Sequence, residues 1–199
     1  AGSFTPKVIQ GLMKEHGLNP DSLKIDNVAP PARASALLSG QVPSIEFFVM
    51  AEPGLAAAAK AKNEQLRTFL LADHGLKLLS NGIVVTEDYL AGNADVVTRF
   101  VRASLRGWQF ALRNPEKAAE DQVKFVPTLD VQKSVAELAV VKGLAVTPDV
   151  EQNGLGYFDA AEMQSSLDFM IKYVGFPGTA PSAADLYATG FLPSPPIKP

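Results

Sequence analysis

Apolar side chains recur at spacings of three and four residues in the part of the chain that follows residue 96. This spacing places them on one stripe, so it predicts a long amphipathic helix that buries one face. The stripe consists of Val97, Phe100, Val101, Leu105, Trp108 and Leu112. A short apolar run at residues 83–85 ends at a polar turn beginning with Thr86, which predicts a strand that leads into this helix.

The chain beyond residue 113 carries the start and stop signals of further helices. Residue types that cap helix N-termini precede several periodic segments, and glycines follow some of them. The caps are Asn114, Asp130 and Asp159, and the stops are Gly143 and Gly175. We therefore predict a mostly helical second part, followed by a proline-rich tail from residue 176 that follows the surface without regular structure.

The first eighty residues alternate helical and strand-like segments. Proline starts and glycine stops predict helices at residues 6–16, 31–40 and 53–62. Short runs rich in β-branched and aromatic residues predict strands between them. These strands cover residues 23–28, 45–49 and 66–71. Such alternation is typical of an α/β fold with a mostly parallel sheet flanked by helices.

Composition excludes several classes of function. The chain has 18 basic and 21 acidic residues without a basic run, so the electrostatic footprint of nucleic-acid binding is missing. It has no cysteine, and thus no disulfide or thiolate chemistry is expected. The two histidines, His16 and His74, fall at a helix end and in a loop and predict no metal site. No nucleophile elbow, phosphate loop or dinucleotide fingerprint is present, so we predict no catalytic residue and no cofactor.

Four segments carry a family resemblance. Residues 32–42 read Ala-Arg-Ala-Ser-Ala-Leu-Leu-Ser-Gly-Gln-Val, Glu52-Pro53 follows the next predicted strand, residues 81–118 hold the strand and long helix, and residues 186–193 read Leu-Tyr-Ala-Thr-Gly-Phe-Leu-Pro. In this order they resemble the substrate-binding proteins of ABC importers, in the family that serves thiamine-precursor pyrimidines, nitrate, sulfonates and similar solutes. One departure is Pro43-Ser44, where that family has Asp-Ala.

The resemblance implies a two-lobed, type II periplasmic-binding fold of the α/β class with a mostly parallel sheet. We assign residues 1–80 to a complete second lobe. Residues 81–199 are assigned to a strand crossing and the C-terminal helical part of the first lobe. Because members of that family begin with a longer first lobe, we expect this lobe to be incomplete here and to require an N-terminal segment of the same protein.

Gly2, Ser3, Phe4 and Thr5 are the first predicted ligand-binding residues. They precede a predicted helix with Pro6 at its first position, and unpaired backbone N–H groups point outward at such a helix start. The glycine allows close approach of the backbone, the hydroxyls offer hydrogen bonds and the phenyl ring offers an apolar surface. An ordinary capped helix would use the same residues, so both interpretations stay open.

Phe48, Glu52 and Asn81 complete the predicted site. Strand residues alternate sides, so one of Phe47 and Phe48 should enter the core while the other points out and can stack on a ligand. Glu52 follows that strand, where its carboxylate could accept a ligand N–H; a solvated acid at a helix start is the alternative. Asn81 lies at the predicted crossing, where its amide could line a cleft or simply form a turn.

Together with these features, the resemblance implies a solute-binding protein, not an enzyme, that closes its lobes on a ligand and passes the ligand to an ABC permease in the membrane. We expect a pyrimidine, sulfonate or aromatic acid as ligand and a location that is periplasmic, or extracellular with a lipid anchor. The resemblance leaves two alternatives. One is a pyrimidine-synthesising enzyme, for which it implies pyridoxal phosphate and a cysteine-rich motif that the chain lacks; the other is the ligand-sensing domain of a regulator.

Overall fold

The computed structural model describes residues 5–76, 78–79 and 81–199. These residues form eight α-helices, joined by extended segments and short 3₁₀ turns. The helices are α1 (Thr5–Glu15), α2 (Pro30–Leu38), α3 (Glu52–Lys60), α4 (Glu87–Arg113), α5 (Pro115–Phe125), α6 (Val131–Ala145), α7 (Pro148–Asn153) and α8 (Ala160–Tyr173). The 3₁₀ turns are Pro20–Ser22, Val49–Ala51, Leu71–His74 and Ala183–Leu186.

The predicted α/β fold with a mostly parallel sheet is wrong, because the described residues contain no strand. The four stretches predicted as strands are mainly without regular secondary structure, and none forms a ladder with another described segment. None of their apolar side chains is fully buried, and several are largely exposed, such as Val84 at 93% and Phe69 at 66%. β-branched and aromatic residues favour extended backbone, yet a sheet also needs a second strand to supply hydrogen bonds, and composition does not reveal that partner.

The chain divides into two compact units. The first contains the described residues up to Leu79 together with Ala160–Ala183. The second contains residues 81–159 and 184–199. The assignment of residues 1–80 and 81–199 to the lobes of a binding protein stays a prediction.

The core of the first unit lies between α1 and α8. Val8 is fully buried, Leu12 follows it one turn later on the same face, and both pack in one cluster with Phe169 of α8. Gly11 allows the ring of Tyr173 to approach α1, because a Cβ at this position would overlap the ring. A glycine inside a helix costs about 0.5–1 kcal/mol relative to alanine, and here it permits closer packing of the two helices.

Helix ends test the predicted caps. Gly17 follows α1 with a left-handed φ of 70°, and Asp130 accepts a hydrogen bond from the Lys133 backbone N–H at 2.7 Å, so both predictions are confirmed. Gly175, with φ of 82°, also follows the end of its helix. The predicted stop at Gly143 is wrong because α6 continues to Ala145.

The second unit contains α4, α5 and α6, which contact one another, together with α7 and residues 184–199 of the tail. Leu105 and Leu112 of α4 are buried with Leu155, and the tail residue Ile197 packs against this cluster. The Leu155 backbone N–H donates to the Ile197 carbonyl at 2.8 Å, which fixes the tail although most of it has no regular structure.

The long amphipathic helix is confirmed as α4, although its regular backbone is interrupted at Asn93. Only part of the predicted stripe is buried, since Phe100 is 58% and Trp108 is 46% exposed. In the described part of the chain, no helix combines the length and apolar character that crossing a membrane requires.

Candidate functional site

Three polar side chains from distant parts of the first unit meet at the start of α1. Thr5, the first residue of the helix, is buried, and its Oγ1 donates a hydrogen bond to Glu46 Oε1 at 2.9 Å. Arg33 Nη1 contacts the other carboxylate oxygen, Glu46 Oε2, at 3.0 Å. We call Thr5, Arg33 and Glu46 the α1 cluster.

Arg33 holds the cluster together from α2. Its Nε donates to the Val28 carbonyl at 3.2 Å, and its Nη1 also donates to the Glu46 carbonyl at 3.4 Å. The guanidinium therefore links the segments before and after α2. The Arg33 and Glu46 side chains are 25% and 39% exposed, so the ion pair contributes about 0–1 kcal/mol to stability at most. Its main effect is to orient the two side chains.

The α1 cluster retains hydrogen-bonding capacity for a further molecule. Arg33 Nη2 has no hydrogen-bond partner among the described residues, and a carboxylate offers about four acceptor positions, of which Thr5 and Arg33 occupy two. The cluster can thus donate and accept side by side. The cluster consists of a hydroxyl, a guanidinium and a carboxylate and contains no histidine or thiol. This arrangement is suited to recognising a ligand edge that carries both a hydrogen-bond donor and an acceptor.

The structure brings two of the predicted residues together at one turn. Phe48 precedes the 3₁₀ turn Val49–Ala51, and Glu52 follows it, with the Glu52 backbone N–H donating to the Val49 carbonyl. Phe48 is 68% exposed. Phe47 is 44% exposed, so the prediction that one of the two rings enters the core is wrong. The Glu52 carboxylate is partly buried and accepts no hydrogen bond from any described residue.

The other predicted residues, Gly2, Ser3, Phe4 and Asn81, belong to other parts of the chain. Gly2, Ser3 and Phe4 lie outside the described residues. Asn81 is exposed in the extended segment before α4, within the second unit. The ligand-binding roles of all these residues, and those of Thr5, Phe48 and Glu52, stay predictions.

A groove of about 580 Å³ runs along α1 and α8 in the same unit as the α1 cluster. It is lined by Lys7, Gln10, Gly11, Lys14, Glu15, Lys172 and Tyr173. Lys172 pairs with Glu15 across the two helices. Hydrogen bonds from Lys172 and Tyr173 hold the pKa of Glu15 below its ordinary value, and the bond to Glu15 raises the pKa of Lys172.

The two histidines lie near each other at the end of α1. The His74 ring stacks on Phe69 with 4.1 Å between the ring centroids, and the His16 ring meets His74 edge-on at 6.2 Å. Within the described ranges, no three residues among histidine, cysteine, aspartate and glutamate are grouped so as to hold a metal ion.

Sequence reasoning did not assign Arg33 and Glu46 to the site. Arg33 lies in the 32–42 segment that carries the family resemblance, but nothing in its local pattern distinguishes it from an arginine that covers a helix surface. Glu46 is a single acid between Ile45 and Phe47, and an isolated charge in an apolar run is the one local signal that marked it. Their partnership spans 13 residues, and that with Thr5 spans 41, so no local pattern could reveal it.

Two comparisons with known proteins show what this chain is similar to. A family model described as NMT1/THI5 like matches residues 1–118. A riboflavin-binding protein, RibY of Chloroflexus aurantiacus, is 30% identical over 141 residues, which are 69% of this chain and 39% of that protein. The match therefore spans well under half of the length of that relative. Both findings agree with the resemblance identified in the sequence and support a solute-binding role.

Proposed function

Because the chain belongs to the NMT1/THI5-like family, we propose that it takes part in binding a small solute and leaves that solute chemically unchanged. The observation that carries the proposal is the α1 cluster, in which a carboxylate and a guanidinium are held side by side with hydrogen-bonding capacity to spare. We further propose that the solute is handed to an ABC-type permease in the membrane, from a periplasmic location or from a lipid-anchored protein outside the cell.

The chemistry of the α1 cluster favours a heteroaromatic ligand with an imide edge. Such an edge presents a ring N–H between two carbonyl groups. It occurs in 2,4-dioxopyrimidines, called oxidised pyrimidines below, and in the ring system of riboflavin, the ligand in the name of the relative RibY. Glu46 would accept the N–H while Arg33 Nη2 donates to an adjacent carbonyl. Sulfonates and aromatic acids lack the N–H, so they would leave the Glu46 carboxylate facing an anion.

Phe48 and Glu52 would extend this recognition. The exposed Phe48 ring offers a flat apolar surface for a heteroaromatic ring, and offset stacking adds about 0.5–1.5 kcal/mol beyond burial of the area. Glu52 supplies a second carboxylate without a described partner, which would accept an exocyclic amino or ring N–H group.

A ligand panel tests the proposal. We expect riboflavin or an oxidised pyrimidine to raise the melting temperature of the full chain and to be recovered unchanged by chromatography after incubation. An N-methylated imide analogue of the same ligand is the matched control, since methylation removes the donor and keeps the ring. Equal stabilisation by both compounds would show that Glu46 does not accept the ligand N–H. Conversion of the ligand into a new product would refute binding without chemistry.

A further inference from the structure

Two arginines without a partner in the described part of the chain lie on α4, in the unit that does not contain the α1 cluster. Arg102 and Arg106 are one helical turn apart, and both are exposed. Neither guanidinium has a hydrogen-bond or ion-pair partner among the described residues, whereas the neighbouring Arg99 pairs with Asp95 at 2.9 Å. Like charges four residues apart destabilise a helix, so this pair has an electrostatic cost that no described residue offsets.

The local charge of α4 reinforces the pair. Residues 96–115 contain four arginines and no acidic residue, although the whole chain has a formal net charge of −3. Spacings of three, four and seven residues place Arg99, Arg102, Arg106 and Arg113 on one side of the helix. Because Asp95 on the same side pairs with Arg99, the positive charge that no described residue offsets is concentrated at Arg102 and Arg106.

Arg102 and Arg106 line a pocket of about 370 Å³ together with residues of the tail. The other lining residues are Gln109, Pro193, Pro195 and Ile197. Two prolines restrict the backbone of this wall, because the pyrrolidine ring fixes φ. The pocket thus combines two charged donors with a stiff, largely apolar wall.

Hydrogen bonds fix the tail to the rest of the unit. Gln109 Nε2 donates to the Lys198 carbonyl at 2.6 Å, and Arg113 Nη2 donates to the Pro199 carbonyl at 2.9 Å. Lys198 Nζ donates in turn to the Glu151 carbonyl at 2.9 Å. Because the wall is already ordered, this part of the pocket would lose little conformational entropy when a ligand binds.

We propose that this pocket, the α4 pocket, binds a phosphate group carried by a soluble small molecule or by a lipid headgroup. Each guanidinium presents a planar fork of N–H donors that matches two oxygens. A phosphate monoester has three terminal oxygens, so two forks can engage it by sharing one of them, whereas a carboxylate has only two oxygens. The phosphate charge of up to −2 balances both arginines. A volume of this size leaves room for a small organic body beside the phosphate.

Inorganic phosphate is the probe for this site. We would titrate it into the full chain at constant ionic strength and follow the phosphorus NMR line width. Saturable binding is expected, and Arg102→Gln and Arg106→Gln should each weaken it about tenfold or more. Arg99→Gln is the matched control, because it removes the same charge from the same helix outside the pocket; it should change the affinity by less than about twofold.

The variant Arg106→Lys separates the contribution of the planar guanidinium donors to phosphate affinity from that of the positive charge. It keeps the positive charge but loses the planar pair of donors, so we expect affinity between that of the wild type and that of Arg106→Gln. Circular dichroism will establish that each variant is folded, as is expected for exposed positions. A titration that does not saturate, or equal losses in Arg99→Gln and Arg106→Gln, would overturn the proposal, because diffuse charge would then explain the binding.

Vesicles distinguish the two sources of the phosphate. Sedimentation with phosphatidylcholine vesicles that contain phosphatidic acid, abolished by Arg102→Gln, would assign the α4 pocket to a lipid headgroup. Saturable phosphate binding without sedimentation would assign it to a soluble phosphorylated molecule. The site shares no residue with the α1 cluster, so these results are independent of the proposed solute binding.

Discussion

Replacing Glu46 by glutamine separates the structural role of the α1 cluster from its proposed role in binding. The glutamine keeps the shape of the side chain and one carbonyl oxygen, so the 2.9 Å bond from Thr5 Oγ1 can persist. The charge that pairs with Arg33 is lost. Since both side chains are partly exposed, at 25% and 39%, we expect the free energy of unfolding to fall by less than about 1 kcal/mol.

Ligand affinity should respond more strongly than stability. A hydrogen bond to a charged acceptor contributes about 1.5–3 kcal/mol, and an amide whose NH₂ group faces the ligand N–H leaves two donors opposed. We therefore expect Glu46→Gln to weaken binding of an imide ligand by about 1–3 kcal/mol, roughly 5- to 150-fold in Kd. Isothermal calorimetry measures the affinity, and chemical denaturation measures the stability.

Glu64→Gln is the matched control for this experiment. Glu64 is an exposed acid in the same unit, and its carboxylate has no partner among the described residues. It should leave the affinity unchanged, which separates a specific contact from a general change in charge. Equal affinity in folded Glu46→Gln and wild-type protein would refute the idea that this carboxylate contacts the ligand.

Three further predictions concern other parts of the chain. Glu52→Ala should weaken ligand binding by about 1–3 kcal/mol in calorimetry and change stability by no more than about 1 kcal/mol; unchanged affinity would leave Glu52 a solvated acid. Asp130→Ala should lower the free energy of unfolding by about 1 kcal/mol, because the backbone N–H of Lys133 loses its 2.7 Å cap, whereas Asp130→Asn should be nearly neutral. The pKa of Glu15 is lowered from its ordinary value of 4.5, and the pKa of Lys172 is raised from its ordinary value of 10.5. The Glu15–Lys172 pair should therefore stabilise the fold fully between pH 4.5 and pH 10.5. This contribution should be lost as the pH falls through the folded pKa of Glu15 or rises through the folded pKa of Lys172. Urea denaturation of wild type and Glu15→Gln across pH tests this, and a stability difference that stays constant below pH 4.5 would contradict it.

Local signals in the sequence predicted the helices well. Gly17 and Asp130 end and begin helices because left-handed backbone and side-chain capping depend on one or two neighbouring residues. The long periodic stripe likewise identified α4, since its period repeats over several turns. Gly143 misled the prediction because a glycine ends a helix only where the backbone turns left-handed, and α6 continues past it.

Features that depend on a distant partner were not predictable in the same way. Residues 83–85 have strand-like composition but no described partner strand, so they form no ladder, and Ile83 and Val84 are exposed. The α1 cluster could not be predicted in full for the same reason. Thr5 was selected because helix starts have known chemistry, whereas Glu46 became visible only when the fold placed it beside Thr5.

Native mass spectrometry of the full chain, purified without refolding and then incubated with riboflavin and oxidised pyrimidines, tests the central claim most directly. Solute binding without chemistry predicts a mass increase equal to one ligand molecule, lost on denaturation, with the released ligand unchanged. A mass shift that survives denaturation, a ligand released as a different compound, or the absence of any bound solute across the panel would contradict it.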